Sequence, residues 1–237
     1  MFDFTIRTSA ILGKEAMEKL QNSSVAVVGI GGVGASCAEA LCRSGIGTLY
    51  LLDSDEVSLS NCNRQLIATQ EVIGKRKTDV AYERFKAINP ECNIIPISEF
   101  YLPQNSDILF KHKPMVIIDA IDTVTSKLDM IVKAKENGIQ IYSSMGTGNR
   151  LNPELVCSGD IKDTIGNGCN FSRIIRKELK KRGVESLDIV YSKEPAIKGI
   201  CTDSENGRHS PASSSFVPPT AGLLLAYKAV MYILNNK

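Results

Sequence analysis

Regular patterning begins at Val25-Ala26-Val27-Val28, an unbroken apolar run. A run this short and β-branched predicts a parallel strand buried on both faces. Ala35, Ala38, Leu41 and Cys42 then recur at helical spacing and stop at Gly45, which predicts a helix. Leu49 to Leu52 predicts a second strand, and Thr78 to Ile88 a helix closed by Asn89-Pro90. Further strands are expected at Asn93–Ile97, Met115–Ile118 and Ile139–Ser144, with a helix from Val124 to Asn137 stopped by Gly138. Ahead of the first strand, residues 9–20 read as one helix through Ala10, Ile11, Leu12, Met17 and Leu20.

Past residue 150 the pattern loosens. A strand is expected at Glu154–Ser158, a helix over 171–182, and a strand at Leu187–Tyr191. Ile174, Ile175 and Leu179 are the expected packing face of that helix. A Gly-, Ser- and Pro-rich loop over 195–215 leads to a strongly apolar helix after Pro218-Pro219. Lys228 interrupts that last run, which falls short of the ~20 residues a membrane span needs, so no stable membrane insertion is expected. Strands alternating with helices predict an α/β protein with a doubly wound, Rossmann-like sheet and a smaller C-terminal substrate region. The expected division is 1–150 for nucleotide binding and 151–237 for the substrate region, mobile loop and last helix, within one globular unit.

Between the first strand and its helix lies Gly29-Ile30-Gly31-Gly32-Val33-Gly34, a G-x-G-x-x-G, and Asp53 follows the second strand. Strand, glycine turn, helix, strand and acid together form a nucleotide-binding fingerprint. Gly29 makes the turn, Gly31 admits a phosphate to the backbone, and Gly34 lets helix and strand pack closely. The helix N-terminus offers free N–H groups to phosphate. Asp53 is placed to accept from ribose hydroxyls. This stretch alone does not separate a dinucleotide from ATP.

Other chemistry is read with its alternative beside it. Gly74-Lys75-Arg76-Lys77 puts cations against the dipole of the next helix, which suggests an anion nearby or a solvated turn. Asp119 and Asp122 end a strand, where they can serve a metal that bridges phosphates, or cap the following helix. Arg173, Arg176, Lys177 and Lys180 share one helix face, which suits a phosphate backbone or plain solvent. Arg7 on its own reads as a surface charge.

The net charge of +2 gives no field for general nucleic-acid binding, and no DNA partner is expected. The seven cysteines contain no C-x-x-C pair, which argues against zinc and against a disulfide framework. The first ten residues lack the basic start and apolar core of a signal peptide, so a cytoplasmic location is expected.

In order and spacing, GIGGVG, LLDSDEVSLSNCNRQ, GKRK and DAID resemble the ubiquitin-activating-enzyme-like adenylyltransferases. FTIRTSAILG, RIIRKELKKRG and SSFVPPTAGLLLA are most similar to the tRNA threonylcarbamoyladenosine dehydratase branch. The resemblance implies ATP and Mg2+ as cofactors. It implies ribose binding by Asp53, triphosphate binding by Asn61 and Arg64, phosphate contact by Lys77, and a magnesium-linked role for Asp122. It implies a homodimer in which Arg7 reaches ATP in the partner subunit. Arg64, Lys77, Asp122 and Arg7 are then the catalytic set, and tRNA the partner. The implied reaction adenylates the substrate carboxylate and closes a ring with loss of water. Two features depart from the wider pattern: zinc pairs usual in sulfur-carrier activators are missing, and Asn170 follows Cys169 where proline is expected. Two other functions remain open at this point. One is activation of a ubiquitin-like sulfur carrier, with a sulfur-donor or sulfur-carrier partner; the other is nucleotide binding without turnover.

Overall fold

The central sheet has seven strands in the order β3-β2-β1-β4-β5-β7-β6. They are β1 (Ser24–Val28), β2 (Thr48–Leu52), β3 (Asn93–Ile97), β4 (Val116–Asp119), β5 (Gln140–Ser144), β6 (Val156–Asp160) and β7 (Asp188–Ser192). All neighbours run parallel except β6, which pairs antiparallel with β7 at the edge. The computed structural model describes residues 3–166, 168–198, 201–202 and 210–236.

The continuous apolar runs have a simple cause: the central strands face helices on both sides. Val25 and Val27 of β1 join one core, with Leu49 and Leu51 of β2 and Val116 and Ile118 of β4. Ala26, Val28, Leu52 and Ile117, at the intervening positions, join the other. The first core is covered by α2 (Lys14–Gln21), α3 (Gly34–Arg43), α4 (Lys77–Ile88) and the last helix, α8 (Val217–Asn235). The second lies under α5 (Asp107–Phe110), α6 (Val124–Glu136) and α7 (Asn170–Lys181).

Several expectations shift. The helix expected over 9–20 is two, α1 (Ile6–Leu12) and α2, separated at Gly13. The strand expected at Glu154–Ser158 starts at Val156, because Pro153–Leu155 form a 3-10 turn. Ile174 is exposed at 36%, while Ile175 and Leu179 pack, so the buried stripe of α7 is narrower than expected. The loop expected over 195–215 contains a two-residue ribbon, Cys201–Thr202 against Ser210–Pro211. Arg208 and His209 of this loop lie outside the described residues.

The last apolar run, expected to fall short of a membrane span, is a helix of 19 residues, α8, long and apolar enough to cross one, and half of its most apolar window is buried inside the fold. Its contact with α3 depends on Gly222, where a Cβ would overlap the Val33 carbonyl and the Cys37 amide. Ala221, Leu225, Ala229 and Ile233 complete its buried face. Residues 151–237 therefore contribute two strands to the common sheet and one helix to the first core.

Candidate active site

Strand order reverses between β1, whose crossover leads to β2, and β4 on its other side. Ligands bind beyond the carboxyl ends of strands at such a switch point. A cleft of about 590 Å³ opens there. Gly29 sits at its base with φ 90, and a Cβ would lie 2.9 Å from the Ala120 carbonyl oxygen. At Gly34 a Cβ would overlap the Gly29 carbonyl, so glycine at both positions lets β1, β4 and α3 converge. Gly31, Gly32 and Val33 line the cleft, whereas Gly34 lies behind the turn. No side chain caps α3, and its Ala35 amide already donates to the Gly31 carbonyl at 2.9 Å, so the amides placed for a ligand are those of Gly31–Val33 in the turn that leads into the helix.

Asp53, at the end of β2, accepts from the Ile30 amide at 2.6 Å and the Asp55 amide at 2.8 Å. Burial pushes its carboxyl above the ordinary value, opposed by the Lys77 ammonium and these two amides. Lys77, at the first turn of α4, is 5% exposed and pairs with Asp55 at 2.7 Å. Its ammonium is 4.0 Å from Asp53. The anion suggested by the basic turn is, within the chain, an aspartate on the cleft wall.

Asn61, Arg64 and Gln65 line the same cleft from the polar loop after β2. The Asn61 side-chain carbonyl accepts from the Ser58 amide at 3.1 Å, which fixes the side chain and leaves its NH2 group to donate to a ligand. Arg64 donates to the Ser60 carbonyl at 3.0 Å and to Asn63 at 2.8 Å, and burial pushes its guanidinium below the ordinary value. Asn63 in turn donates to the Ser213 carbonyl at 2.9 Å, tying this loop to the segment before α8.

Asp122 is exposed and lines the opposite wall. The cap of α6 is Thr123, without a side-chain cap hydrogen bond, so neither residue is engaged as the expected helix cap. Asp119 corrects the reading of a carboxylate pair. It is fully buried and bonded to Lys127 at 2.6 Å, which removes it from any ligand.

The remaining sequence candidates lie elsewhere. Arg7 is exposed on α1, a helix with no buried residue, and does not line the cleft. On α7, Arg173, Lys177 and Lys180 are exposed, but Arg176 is half-buried and donates to Thr164 at 2.6 Å. The basic face is thus three exposed cations, of which Arg173 donates to Asn170 at 2.5 Å, with a fourth fixed to the fold.

Several cleft residues went unassigned by the sequence. Gln65 is 6% exposed, with its Oε1 buried and without a hydrogen-bond partner. Ser144 to Gly148 and Phe171 form one wall, and Pro211, Ser213 and Pro218 another. The first of these walls was findable, since it follows β5 at the carboxyl edge. Behind it, burial pushes the Cys169 thiol up, but Ser172 and the Arg150 guanidinium outweigh burial and hold it below its usual value.

A ThiF family profile matches residues 4–235. This chain belongs to the ThiF family. The tRNA threonylcarbamoyladenosine dehydratase of Bacillus subtilis is 35% identical over 97% of this chain and 94% of its own length. That of Haemophilus influenzae is 33% identical over 94% and 90%. The structure of E. coli tRNA N6-threonylcarbamoyladenosine dehydratase, TcdA, in complex with ATP superposes with a TM-score of 0.87 at 29% identity, covering 96% of this chain and 92% of that one. The α/β, doubly wound fold is therefore the fold of that family.

Proposed function

We propose that this protein is an ATP-dependent dehydratase acting on threonylcarbamoyladenosine in tRNA. The observation that carries this reading is the convergence of the glycine turn, Asp53, Arg64, Lys77 and Asp122 on one cleft at the switch point. A triphosphate needs such a set: amides at a helix N-terminus, two cations, and a carboxylate for a metal. The ribose binds at Asp53 and the phosphates lie along Gly31–Val33 toward Arg64 and Lys77.

The substrate carboxylate attacks the α-phosphorus of ATP, and pyrophosphate leaves. The resulting acyl-adenylate carries AMP as a good leaving group. A nitrogen of the same side chain attacks the acyl carbon, AMP departs, and a ring closes. The net change in the nucleoside is loss of water. The internal nucleophile makes the second step a proximity effect. Among the described residues no group of three His, Cys, Asp or Glu side chains is placed to hold a metal. One exposed carboxylate, Asp122, nevertheless fits Mg2+, which takes one or two protein carboxylates and leaves the rest to phosphate and water. Bound there, Mg2+ would neutralise developing phosphate charge.

Residues 151–237 serve as the substrate side. Helix α7 starts at the cleft wall with Phe171 and carries Arg173, Lys177 and Lys180 outward, a path suited to the tRNA backbone. A homodimer places Arg7 in the partner's site. Its support is α1 itself, which leaves Ile6 69% and Ile11 85% exposed beside Arg7. The cytoplasm, where tRNA resides, is the compartment this reading needs. The test is ATP–pyrophosphate exchange with and without tRNA carrying the nucleoside. Exchange that needs this tRNA supports the reading; exchange that needs a ubiquitin-like sulfur-carrier protein instead would replace it.

A further inference from the structure

Beneath the cleft floor lies a buried ion pair that the reaction above does not use. Lys127 of α6 and Asp119 at the end of β4 are both 0% exposed. The Lys127 ammonium has three N–H donors. It places them on Asp119 Oδ2 at 2.6 Å, Ser143 Oγ at 3.1 Å and the Ser144 carbonyl at 3.1 Å. Ser143 Oγ also donates to Asp119 Oδ2 at 2.5 Å. The other Asp119 oxygen accepts from the Ile121 amide at 3.4 Å. The ammonium further lies 5.7 Å from the centre of the Phe171 ring.

Each of these contacts ends on a segment that lines the cleft. Ile121 precedes Asp122 on one wall; Ser144 opens the 144–148 wall; Phe171 lies in the first turn of α7. β4 and β5 already pair directly through Asp119 and Ser143, so the sheet fixes their spacing only up to those residues. Beyond them β4 and β5 no longer pair with each other: the Ala120 amide is bonded to the Val28 carbonyl of β1 at 2.8 Å, the Met145 amide to the Val190 carbonyl of β7 at 2.8 Å, and Lys127 is the link between the two departing walls. A buried pair of this kind is weak as a source of stability, since desolvation offsets attraction, but its geometry is restrictive.

We propose that Lys127 is a positioning residue: through Asp119, Ser143 and Ser144 it sets Asp122 and the 144–148 wall against the reacting end of the nucleotide. This rests on the adenylation reading above. The nucleoside end is set by other bonds: Asp53 and the glycine turn follow β2 and β1, Asp53 accepts from the Ile30 amide, and neither is hydrogen-bonded to the Lys127–Asp119 pair. Loosening the strut therefore lowers kcat while leaving ATP affinity nearly intact.

Lys127→Met alone would leave the Asp119 charge buried and unpaired, a change that can unfold the chain. The test pairs Asp119→Asn/Lys127→Met, which removes both charges, with Ser143→Ala, which keeps the ion pair and deletes the bridging hydroxyl. Four quantities are measured on the full chain: melting temperature, Kd for ATP, kcat with tRNA, and hydrogen exchange at Ile121 and residues 144–148. The double variant is expected to lose about tenfold or more in kcat with Kd for ATP changed by less than about threefold. Exchange in the two walls should rise by about tenfold. Ser143→Ala should move kcat and exchange the same way by a smaller factor, and it decides the matter if the double variant does not fold. A lowered melting temperature with unchanged kcat per folded molecule and unchanged exchange would overturn the proposal. Should the wild type prove inactive on tRNA, adenylation fails as the function, while the exchange and ATP arms still decide whether the strut orders the walls.

Discussion

Lys77 illustrates how little of a side chain's task is visible in its type. Its ammonium is almost fully buried yet partnered by Asp55, whose side chain is 64% exposed. An exposed partner makes such a pair worth about 1 kcal/mol or less. Lys77→Ala should therefore leave the melting temperature of the free protein nearly unchanged and abolish its rise with ATP, as a thermal-shift titration would read. Asp122 permits a sharper division. Because α6 carries no side-chain cap bond, Asp122→Ala should remove pyrophosphate exchange without lowering the melting temperature. Normal exchange in a less stable variant would mean that the acid is structural. The residue pattern did not separate Asp122 from Asp119, since both were expected just after a strand; only the family resemblance singled out Asp122. The deciding residue was Lys127, and its signal was present: a lone lysine in the stripe Val124, Leu128, Ile131 of α6. Gln65 had no such signal, because its burial depends on a loop fold that no periodicity describes.

At the scale of elements, the central strands were legible because burial on both faces leaves them short, nearly continuous apolar runs. The boundaries that moved did so for local reasons: Gly13 splits the first helix, and Pro153 starts a 3-10 turn before β6. Helix α8 was read as apolar but not placed, because an apolar helix packs equally well against its own core or a neighbour. Gly222 shows which occurs. Gly222→Val would push α8 from α3 and should cost about 1–3 kcal/mol in chemical unfolding followed by circular dichroism. Pro218, at the start of α8, lines the cleft, so ATP affinity should fall as well. For α7 the structure narrows the expected contact. Replacing Arg173, Lys177 and Lys180 by glutamine should weaken tRNA binding and flatten its salt dependence by roughly one log unit per lost contact at most. ATP affinity should stay constant. Unchanged tRNA affinity would return these residues to solvent and leave the substrate path to be sought along the 211–218 wall.

For the whole molecule, the site is a property of topology: two crossovers that diverge from β1 and β4 leave a cleft, and the loops after β2, β4 and β5 furnish it. The glycine turn and its acid were legible because backbone geometry demands glycine there. The 144–148 wall was findable from its place after β5, whereas the 211–218 wall was not, since it meets the cleft only through the tertiary fold. If the working unit is a homodimer, heterodimers of Arg7→Ala and Lys77→Ala subunits should regain part of the activity that each variant lacks, since one composite site becomes whole. The central claim is dehydration driven by ATP, and the most direct measurement is mass spectrometry of nucleosides from tRNA incubated with the protein, ATP and Mg2+. The account predicts that the threonylcarbamoyl nucleoside loses the mass of one water, with AMP and pyrophosphate formed in step and no change when ATP is withheld. An unaltered nucleoside in the presence of ATP, with the protein folded and the nucleotide bound, would contradict it.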